Sequence, residues 1–271
     1  MNILITGIAG FIGFNFCKKL SATTKKIRII GIDNINNYYS QKVKIARLQN
    51  LKKNKNIEFK KIDIKNKSQL TKLFKKYKFT EVYNFAAQAG VRYSIINPQA
   101  YIDTNVVGFS NLMFLSKEYN VKKFFFASSS SVYGENSKYP IPENVDLDPQ
   151  NLYGLTKKYN EELAALYFKN FKFKSIGLRF FTVFGEWGRP DMFIYKYLAA
   201  AYNKNFFFLN NYGNHFRDFT YIEDAINILI KLRNKKINKY EVYNVCSNNP
   251  YGLLKIIDFF KKKIPKVKII K

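Results

Sequence analysis

Residues 1–13 read MNILITGIAGFIG, an apolar stretch that runs into three closely spaced glycines. The apolar run is typical of a buried strand, and GFIGFNFCKKL repeats apolar residues at helical spacing. Gly7, Gly10 and Gly13 therefore fall in the turn between a strand and a helix. They would permit a tight turn, approach of a pyrophosphate to the backbone, and close packing of helix on strand. With the unpaired N–H groups and dipole of the helix N-terminus, this pattern predicts dinucleotide binding.

An acidic residue at the end of the second predicted strand supports this interpretation. Asp33 closes KIRIIGID, 20 residues after Gly13, where its carboxylate can accept hydrogen bonds from the adenosine ribose hydroxyls. No arginine follows Asp33 to bind a 2′-phosphate, so the pattern favours NAD over NADP. Asp63, at the end of the third predicted strand, could border the adenine ring or belong to a simple turn.

Short apolar strands alternate with helices along the first 180 residues. Strands are predicted at 1–7, 26–33, 57–64, 81–87, 121–129, 173–180 and 242–247. Helices are predicted at 10–20, 40–53, 67–77, 99–119 and 151–170. Strict alternation of buried strands and helices predicts an α/β fold, a Rossmann-type doubly wound parallel sheet covered on both faces.

The regular alternation ends after residue 180, where glycine, proline, asparagine and aromatic residues dominate as far as residue 218. We therefore expect an NAD-binding Rossmann domain over 1–180, to which 219–247 return. A smaller substrate-binding lobe would consist of 181–218 and 248–271.

The formal net charge of +27 is high enough to raise the question of nucleic-acid binding. The lysines are spread along the whole chain, without an arginine cluster or a zinc-ligand spacing, so we expect a solvated basic surface, no nucleic-acid partner and no metal. The sequence has no run of about 18 uncharged apolar residues, so no membrane span is predicted. The N-terminal apolar run is too short for a signal peptide, and Cys17 and Cys246 make no disulfide framework, so we expect a cytoplasmic protein.

A run of hydroxyls follows the fifth predicted strand. Residues 127–134 read ASSSSVYG, directly after the apolar residues 124–126. A buried hydroxyl without a partner costs about 1–3 kcal/mol, so serines at the end of a buried strand need partners. Either they lie in a solvated turn or a polar ligand meets them.

Tyr153 and Lys157 stand four residues apart in YGLTK, on one face of the last predicted helix. Such a pair alone is a weak signal, but here it follows the glycine-rich turn and the serine-ended strand. In this order the motifs resemble those of the extended short-chain dehydrogenases/reductases. The resemblance implies that a serine, the tyrosine and the lysine converge on a substrate hydroxyl beside the nicotinamide, with Ser129 as the catalytic serine.

The proposed chemistry accounts for these residue types. A free tyrosine has a pKa of about 10, too high for a general base at neutral pH. The Lys157 ammonium and the positive nicotinamide ring would favour the phenolate and lower the pKa of Tyr153. Tyr153 could then take the proton from a sugar hydroxyl while hydride passes to NAD⁺.

The resemblance narrows over longer segments, among them GIDNINNYYSQKVKIARL, NFAAQAGVRYSIINPQAYIDTNVVGFSNL and LRFFTVFGEWGRPDMF. They are similar to nucleotide-sugar epimerases of the UDP-glucuronate 4-epimerase type. The resemblance implies oxidation of a UDP-uronic acid at C4 by tightly held NAD⁺, rotation of the 4-keto sugar, and hydride return to its other face. UDP-glucuronate would become UDP-galacturonate, and the enzyme, an isomerase, would be a homodimer.

The resemblance also implies where NAD is bound. Its contacts would come from the ends of the first strands and from the catalytic helix. The predicted NAD-binding residues are Gly7, Gly10, Phe11, Ile12, Gly13, Asp33, Asn34, Asp63, Ile64, Ala86, Ala87, Gln88, Asn105, Tyr153 and Lys157. For Asn105, a buried amide with all its hydrogen bonds made inside the protein is the alternative.

The two positions after Ser129 distinguish close relatives. Related 4,6-dehydratases carry an Asp-Glu pair there and related decarboxylases usually a Glu, whereas this chain has Ser130 and Ser131. These hydroxyls would bind a sugar carboxylate and prevent loss of carbon dioxide, or would merely cap a turn. Thr182 and Arg189 are expected to line the same pocket.

Two further arginines are candidates for the substrate site. Arg217 matches the position that binds the diphosphate in such enzymes, where a guanidinium can contact two anionic groups. Arg92 would lie near the sugar nucleotide or form a structural salt bridge. His215, the only histidine, is expected at the surface and not as a general base.

Relatives of this type continue beyond LLKIIDFFKKKIPKVKIIK, so the resemblance implies a substrate lobe that is truncated at its C-terminus. Three hypotheses follow from the sequence. The first is C4 epimerisation of a UDP-uronic acid. The second is another nucleotide-sugar epimerase or dehydratase of the same fold, of the UDP-glucose or galactose type. The third is a non-catalytic NAD-binding remnant.

Overall fold

The predicted strands assemble into a parallel sheet in the computed structural model, which describes residues 1–24, 26–135, 139–264 and 267–270. The strands are β1 (Asn2–Thr6), β2 (Arg28–Asp33), β3 (Ile57–Lys61), β4 (Glu81–Asn84), β5 (Lys123–Ser129), β6 (Ser175–Phe180), β7 (Thr182–Phe184), β8 (Phe206–Phe208), β9 (Phe216–Tyr221), β10 (Glu241–Val245), β11 (Pro250–Gly252) and β12 (Lys268–Ile270).

The helices lie between these strands and on both faces of the sheet. They are α1 (Phe11–Thr23), α2 (Gln41–Leu51), α3 (Lys67–Tyr77), α4 (Tyr93–Ile96), α5 (Pro98–Tyr101), α6 (Phe109–Glu118), α7 (Leu152–Phe171), α8 (Phe193–Tyr202), α9 (Ile222–Asn234) and α10 (Leu253–Lys263). Within the described ranges, no helix combines the length and the apolar character that crossing a membrane requires.

The order of the strands determines where a ligand can bind. Among the described residues, seven parallel strands follow the order β3-β2-β1-β4-β5-β6-β10. The order reverses between β1 and β4, so the loops after these strands diverge and leave a crevice at the carboxyl edge. Thr6 lies opposite Asn84 at that edge, and the Thr6 hydroxyl donates to the Asn84 side chain over 2.6 Å. This topology confirms the predicted Rossmann-type doubly wound sheet.

The central strands are buried on both faces, because helices cover the sheet from either side. Phe125 packs into a cluster with α1 and α9, whereas Phe124 and Phe126 pack on the other face with α3 and α6. Successive residues of a strand point to opposite faces. A strand between two helical layers therefore carries apolar residues at every position, which is why unbroken apolar runs identified these strands.

The last strand of the sheet comes from a segment late in the chain. β10 pairs in parallel with β6, and Val245 lies opposite Phe180. α9, which precedes β10, packs on α1 through Ile226 and Leu229. The segment after residue 218 thus adds a helix and a strand to the large sheet, although the exact division into domains stays a prediction.

The helix predicted over 99–119 is interrupted. A π-helical turn, Ile102–Gly108, separates α5 from α6. It carries Asn105, which is 2% exposed and bonds to the backbone of Gln88 through both its oxygen and its nitrogen. Turns of this wider type are often found at functional sites. The spacing of apolar residues could not predict this interruption, because the π-helical turn occurs together with hydrogen bonds to a loop that is distant in the sequence.

Apart from α9 and β10, the residues after β6 build the smaller part of the molecule. β7 pairs with β9 and β9 with β11, while β8 pairs with β12. α8 and α10 enclose an apolar cluster around Tyr197 and Phe207, whose ring centroids lie 5.3 Å apart. The assignment of this part as a substrate lobe stays a prediction.

Replacing Phe126 by alanine should destabilise the fold far more than the same change at Phe171. Phe126 is fully buried, whereas Phe171 is 53% exposed at the end of α7. Truncating a buried phenylalanine costs about 3–5 kcal/mol, because apolar contacts are lost and a cavity remains. For Phe171→Ala we expect less than about 1 kcal/mol. Urea unfolding measures the free energy of unfolding of both variants, and equal losses would contradict the described core.

Candidate active site

A cleft of about 1710 Å³ opens at the carboxyl edge of the sheet. Its walls come from the loops after β1, β2, β4 and β5, from the start of α7, and from the segments around Thr182 and Arg217. Every residue predicted to bind cofactor or substrate borders this cleft except Asn105. The structure thus gathers predicted site residues from most of the length of the chain.

The glycine-rich turn closes one end of the cleft. Gly7 has a φ of +67°, and a Cβ at this position would lie 2.6 Å from the backbone nitrogen of Ala86. A Cβ at Gly13 would lie 2.3 Å from the Gly7 carbonyl oxygen. Gly10 precedes α1, which has no acidic residue in its first turn. The turn therefore leaves the positive end of the α1 dipole facing the cleft, as an anion site requires.

Asp33 lies at the end of β2, where its carboxylate joins two loops. One oxygen accepts from the Ala9 N–H over 3.2 Å and the other from the Ile35 N–H over 2.8 Å. Burial raises the pKa of Asp33, while these N–H groups and the Lys44 ammonium oppose the shift. Its two predicted neighbours are in contact as well, because Asn34 donates to the Asp63 carboxylate over 3.0 Å.

The predicted catalytic residues come together where β5 ends against α7. The Lys157 ammonium donates to the Ala127 carbonyl over 2.8 Å and lies 5.8 Å from the centroid of the Tyr153 ring. Ser129, which is 7% exposed, is the last residue of β5 and borders the cleft with Tyr153 and Lys157. A hydroxyl, a phenol and an ammonium therefore face the same space.

The start of α7 is fixed close to the serines. Asn151 caps the helix, its side-chain oxygen accepting from the Gly154 N–H over 2.8 Å. A Cβ at Gly154 would lie 2.4 Å from the Ser131 carbonyl oxygen. Because glycine has no Cβ, the helix can approach the serine turn closely enough to bring Tyr153 beside Ser129.

Burial shifts the pKa values of both titratable groups toward the neutral forms. It lowers the pKa of Lys157 to about 8, although the Glu161 carboxylate opposes this shift. It raises the pKa of Tyr153, although the Ser129 hydroxyl and the charge of Arg189 act in the opposite direction. The expectation of a lowered Tyr153 pKa is therefore wrong for the protein groups alone, because desolvation of the phenolate outweighs the charges around it.

The four consecutive serines have different surroundings. Ser128 is buried and donates to Glu161. The Ser129 hydroxyl accepts from the Ser131 N–H over 3.1 Å and caps the 3₁₀ turn Ser130–Val132. No hydrogen bond within the described part of the chain engages the half-buried hydroxyls of Ser130 and Ser131, which border the cleft. Since Ser129 caps the turn, these two hydroxyls stay available to a ligand.

Known proteins are similar to this chain over most of its length. Residues 3–246 match the NAD dependent epimerase/dehydratase family. The chain belongs to that family. Protein CapI of Staphylococcus aureus is 41% identical over 284 residues, which cover 98% of this chain and 84% of CapI. A UDP-glucuronate 4-epimerase of Thermodesulfobacterium geofontis is 37% identical over 265 residues, which cover 97% of this chain and 80% of that protein.

A solved structure extends the comparison within this epimerase/dehydratase family. UDP-glucuronic acid 4-epimerase from Bacillus cereus, in complex with UDP-glucuronic acid and NAD, has a TM-score of 0.93 and is 33% identical. The match covers 100% of this chain and 85% of that one. These similarities confirm the predicted family and its UDP-glucuronate 4-epimerase type.

Arg189 of this family member is paired with a carboxylate two residues away. Its guanidinium contacts both oxygens of Asp191, with 3.0 Å between Arg189 Nε and Asp191 Oδ1. Tyr38 donates to Asp191 Oδ2 over 3.0 Å. Arg189 borders the cleft together with Thr182, and its charge is paired with that of Asp191.

The remaining predicted groups lie at the more open side of the cleft. Arg92 is exposed and forms no salt bridge with a carboxylate of the described ranges, so the structural ion pair considered for it is not found there. Arg217, also exposed, donates to the Phe216 carbonyl over 3.1 Å. His215 was expected at the surface, yet it is half-buried and borders the cleft. Burial and the charge of Arg217 lower the pKa of His215.

Asn105, predicted as a cofactor ligand, supports the site from behind. Its oxygen accepts from the Gln88 N–H over 2.8 Å, and its nitrogen donates to the Gln88 carbonyl and to the Thr156 hydroxyl, each over 3.0 Å. The buried amide is thus the alternative that agrees with the structure. Asn105 ties the loop after β4 to the helix that carries Tyr153.

Two buried cations escaped the sequence analysis. Lys44 borders the cleft near Asp33 and donates to the Asn36 carbonyl over 2.8 Å. Arg47, fully buried, donates to the backbone carbonyls of Ala9, Trp187 and Gly188. A signal was present, because Lys44 and Arg47 complete the i, i+3, i+4, i+7 face of α2 with two leucines. Because both side chains are charged, this face was not expected to be buried.

Replacing Gly13 by alanine should abolish retention of NAD. The new Cβ would lie 2.3 Å from the Gly7 carbonyl oxygen, so the turn must change shape. Gly252→Ala is a matched control, because a Cβ there meets the Phe216 ring at 3.5 Å, an ordinary contact distance. NAD released from denatured protein should fall by about tenfold or more in Gly13→Ala and stay constant in the control. Full retention by Gly13→Ala would contradict the role of the turn.

Proposed function

We propose that this protein converts UDP-glucuronate to UDP-galacturonate by NAD-dependent epimerisation at C4. One observation carries the proposal: a single cleft joins the glycine-rich turn to Ser129, Tyr153 and Lys157 and to the hydroxyls of Ser130 and Ser131. The UDP-glucuronate 4-epimerases of T. geofontis and B. cereus support it, and the second binds UDP-glucuronic acid and NAD in its structure. A dehydratase is not favoured, because neither position after Ser129 is acidic.

The residues of the glycine-rich turn fit NAD. Gly7 and Gly13 stand where any Cβ would collide with the backbone. Because no side chains project from these positions, the turn stays compact and a pyrophosphate can approach the N-terminus of α1. The Asp33 carboxylate would accept from ribose hydroxyls and repel a 2′-phosphate, which supports NAD over NADP. When bound, NAD would supply the hydride acceptor and donor for sugar C4 and a positive ring charge beside the Tyr153 phenol.

The three catalytic residues would handle the proton of the sugar O4 hydroxyl. Tyr153 Oη would take this proton and later return it, and Ser129 Oγ would orient the hydroxyl. Lys157, whose ammonium is anchored to the Ala127 carbonyl, would stabilise the phenolate by its charge. The Lys157 charge is present below its pKa of about 8 and lost above it, so this contribution fades in alkaline solution.

The substrate carboxylate would be bound mainly by hydroxyls. Ser130, Ser131 and Thr182 border the cleft, and none of them can act as an acid or base that expels carbon dioxide. Because Asp191 already neutralises Arg189, the hydroxyls would contribute the larger part of the recognition. A buried donor that loses its acceptor discriminates strongly between ligands. A uronic acid should therefore be preferred over a neutral hexose.

The diphosphate would lie at the open side of the cleft. Arg217 and Arg92 are exposed there and border the cleft. A guanidinium binds phosphate oxygens through parallel hydrogen bonds, which makes both arginines suitable partners for the two phosphates or the nucleotide end.

We also propose a cytoplasmic homodimer. Cys17 and Cys246 are free thiols, which supports a reducing compartment. Leu155 and Leu166 on α7 are each more than half exposed, which supports a second chain on that helix. Sedimentation equilibrium measures the mass in solution, and a monomer at all concentrations would contradict the dimer.

Tyr153→Phe should nearly abolish epimerisation while NAD stays bound. The variant keeps the ring but lacks the oxygen that accepts the proton, so kcat should fall by about 10²-fold or more. Tyr159→Phe is a matched control on the same helix, because its hydroxyl contacts Ser110 and not the cleft. Separation of the two UDP-sugars after incubation measures turnover. A Tyr153→Phe enzyme as fast as the control would contradict the assignment.

Replacing both Ser130 and Ser131 by alanine should weaken the preference for the uronic acid. The preference is the ratio of inhibition constants of UDP-glucose and UDP-glucuronate, and we expect it to fall by about tenfold or more. Ser110→Ala is the control, since its hydroxyl donates to the Val106 carbonyl in the preceding π-helical turn over 2.8 Å and does not border the cleft. An unchanged ratio in the double variant would mean that the serines do not bind the carboxylate.

A further inference from the structure

A buried salt bridge lies behind the catalytic helix, and neither of its two residues borders the cleft. Glu161 and Arg179 form a two-pronged salt bridge, with donor–acceptor distances of 2.9 and 2.7 Å, and both side chains are 4% exposed. Ser128 donates to the same carboxylate. Arg179 also donates to the Tyr133 hydroxyl over 2.8 Å. The reaction described above uses none of these groups directly.

The Glu161 carboxylate joins three elements of the site. It lies on α7, one turn after Lys157, and so on the same face of the helix. Its partner Arg179 on β6 lies opposite Ser128 on β5, so both reach the carboxylate from neighbouring strands. Lys157 contacts the carbonyl of the preceding residue, Ala127. Two successive residues of β5 are therefore attached to two successive turns of α7, immediately before Ser129.

The charge of Glu161 also acts on Lys157. The ionisable groups around Lys157 are Tyr153 and Glu161 on its own helix, Arg179 behind Glu161, and Arg189, whose charge reaches Tyr153 from the segment after β7. Burial favours a neutral Lys157, and Glu161 is the group that opposes this effect. An anion near a buried ammonium favours its charged form.

We propose that Glu161 is a positioning residue of the reaction, which docks α7 on the end of β5 and supplies the negative charge that keeps Lys157 protonated beside Tyr153. This inference rests on the proposed function of Tyr153 and Lys157. It differs from the ordinary role of a buried salt bridge, which stabilises or specifies a fold without acting on a catalytic group.

The test is a direct titration of Lys157 in protein labelled with ¹³C at the lysine ε-carbons, with the Lys157 signal assigned by its loss in Lys157→Met. In the unmodified protein the signal should titrate at a pH of about 8. Glu161→Gln keeps the size of the side chain and removes its charge, so the midpoint should fall by about one pH unit or more. Glu161→Asp keeps the charge, so the midpoint of its Lys157 titration should lie close to that of the unmodified protein.

A second buried pair provides a matched control. Glu81 at the start of β4 bonds to Arg233 over 2.8 and 3.2 Å and accepts from the Tyr83 hydroxyl, as Glu161 does from Ser128. Glu81→Gln thus removes the same kind of charge far from the cleft and should leave the Lys157 titration unchanged. An unchanged midpoint in Glu161→Gln, or an equal shift in Glu81→Gln, would overturn the inference.

Two further measurements keep the outcome unambiguous. If Glu161→Gln does not fold, the titration is measured in the double variant Glu161→Gln/Arg179→Gln, which should fold because it leaves no uncompensated buried charge. In wild type, epimerisation should decline as pH rises through the Lys157 midpoint, and in Glu161→Gln the decline should begin at lower pH by the same interval. A wild type without epimerase activity would refute the proposed function, whereas the titration would still decide the effect of Glu161 on Lys157.

Discussion

The close approach of the Gly7 turn to the backbone after β4 sets the geometry of the whole cleft. A Cβ at Gly7 would lie 2.6 Å from the Ala86 nitrogen, so the two loops meet with no room for a side chain. The Thr6 hydroxyl bridges them, donating to Asn84 and accepting from the Ala86 N–H over 3.2 Å. Since β1 and β4 are neighbours at the point where the strand order reverses, this contact holds the two walls of the cleft together.

Patterns that depend on local geometry were predictable from the sequence. Apolar runs located the central strands because both faces of the sheet are covered, and the glycine spacing located the turn because a Cβ is excluded there. Contacts between distant residues were not predictable. The inward direction of Asn105 and the burial of Arg47 each depend on a partner from another loop or element. The direction in which the protein groups alone shift the Tyr153 pKa was not predictable for a related reason, since a motif identifies neighbouring groups but not how well water is excluded from them.

The four serines illustrate how one residue type serves different needs within a few ångströms. Ser128 points into the protein and satisfies a buried carboxylate, Ser129 faces the cleft and caps the following turn, and the next two hydroxyls border the cleft. The alternation of side chains along a strand explains the opposite directions of the first two. The sequence ASSSSVYG is therefore a strand end and a turn that present polar groups to both sides at once.

Arg47 has a consequence for how the chain can vary through evolution. Its guanidinium donates to backbone carbonyls in the glycine-rich turn and in the segment around Trp187, and thereby connects the loops on the two sides of the cleft. Every amino acid presents a carbonyl of the same kind. The residues at positions 9 and 187 can therefore be exchanged without removing an acceptor, whereas no other side chain offers the same fork of donors. The link between the loops therefore depends on the identity of one residue, Arg47. Correlated substitutions at pairs of positions would not reveal it, because its partners are backbone carbonyls.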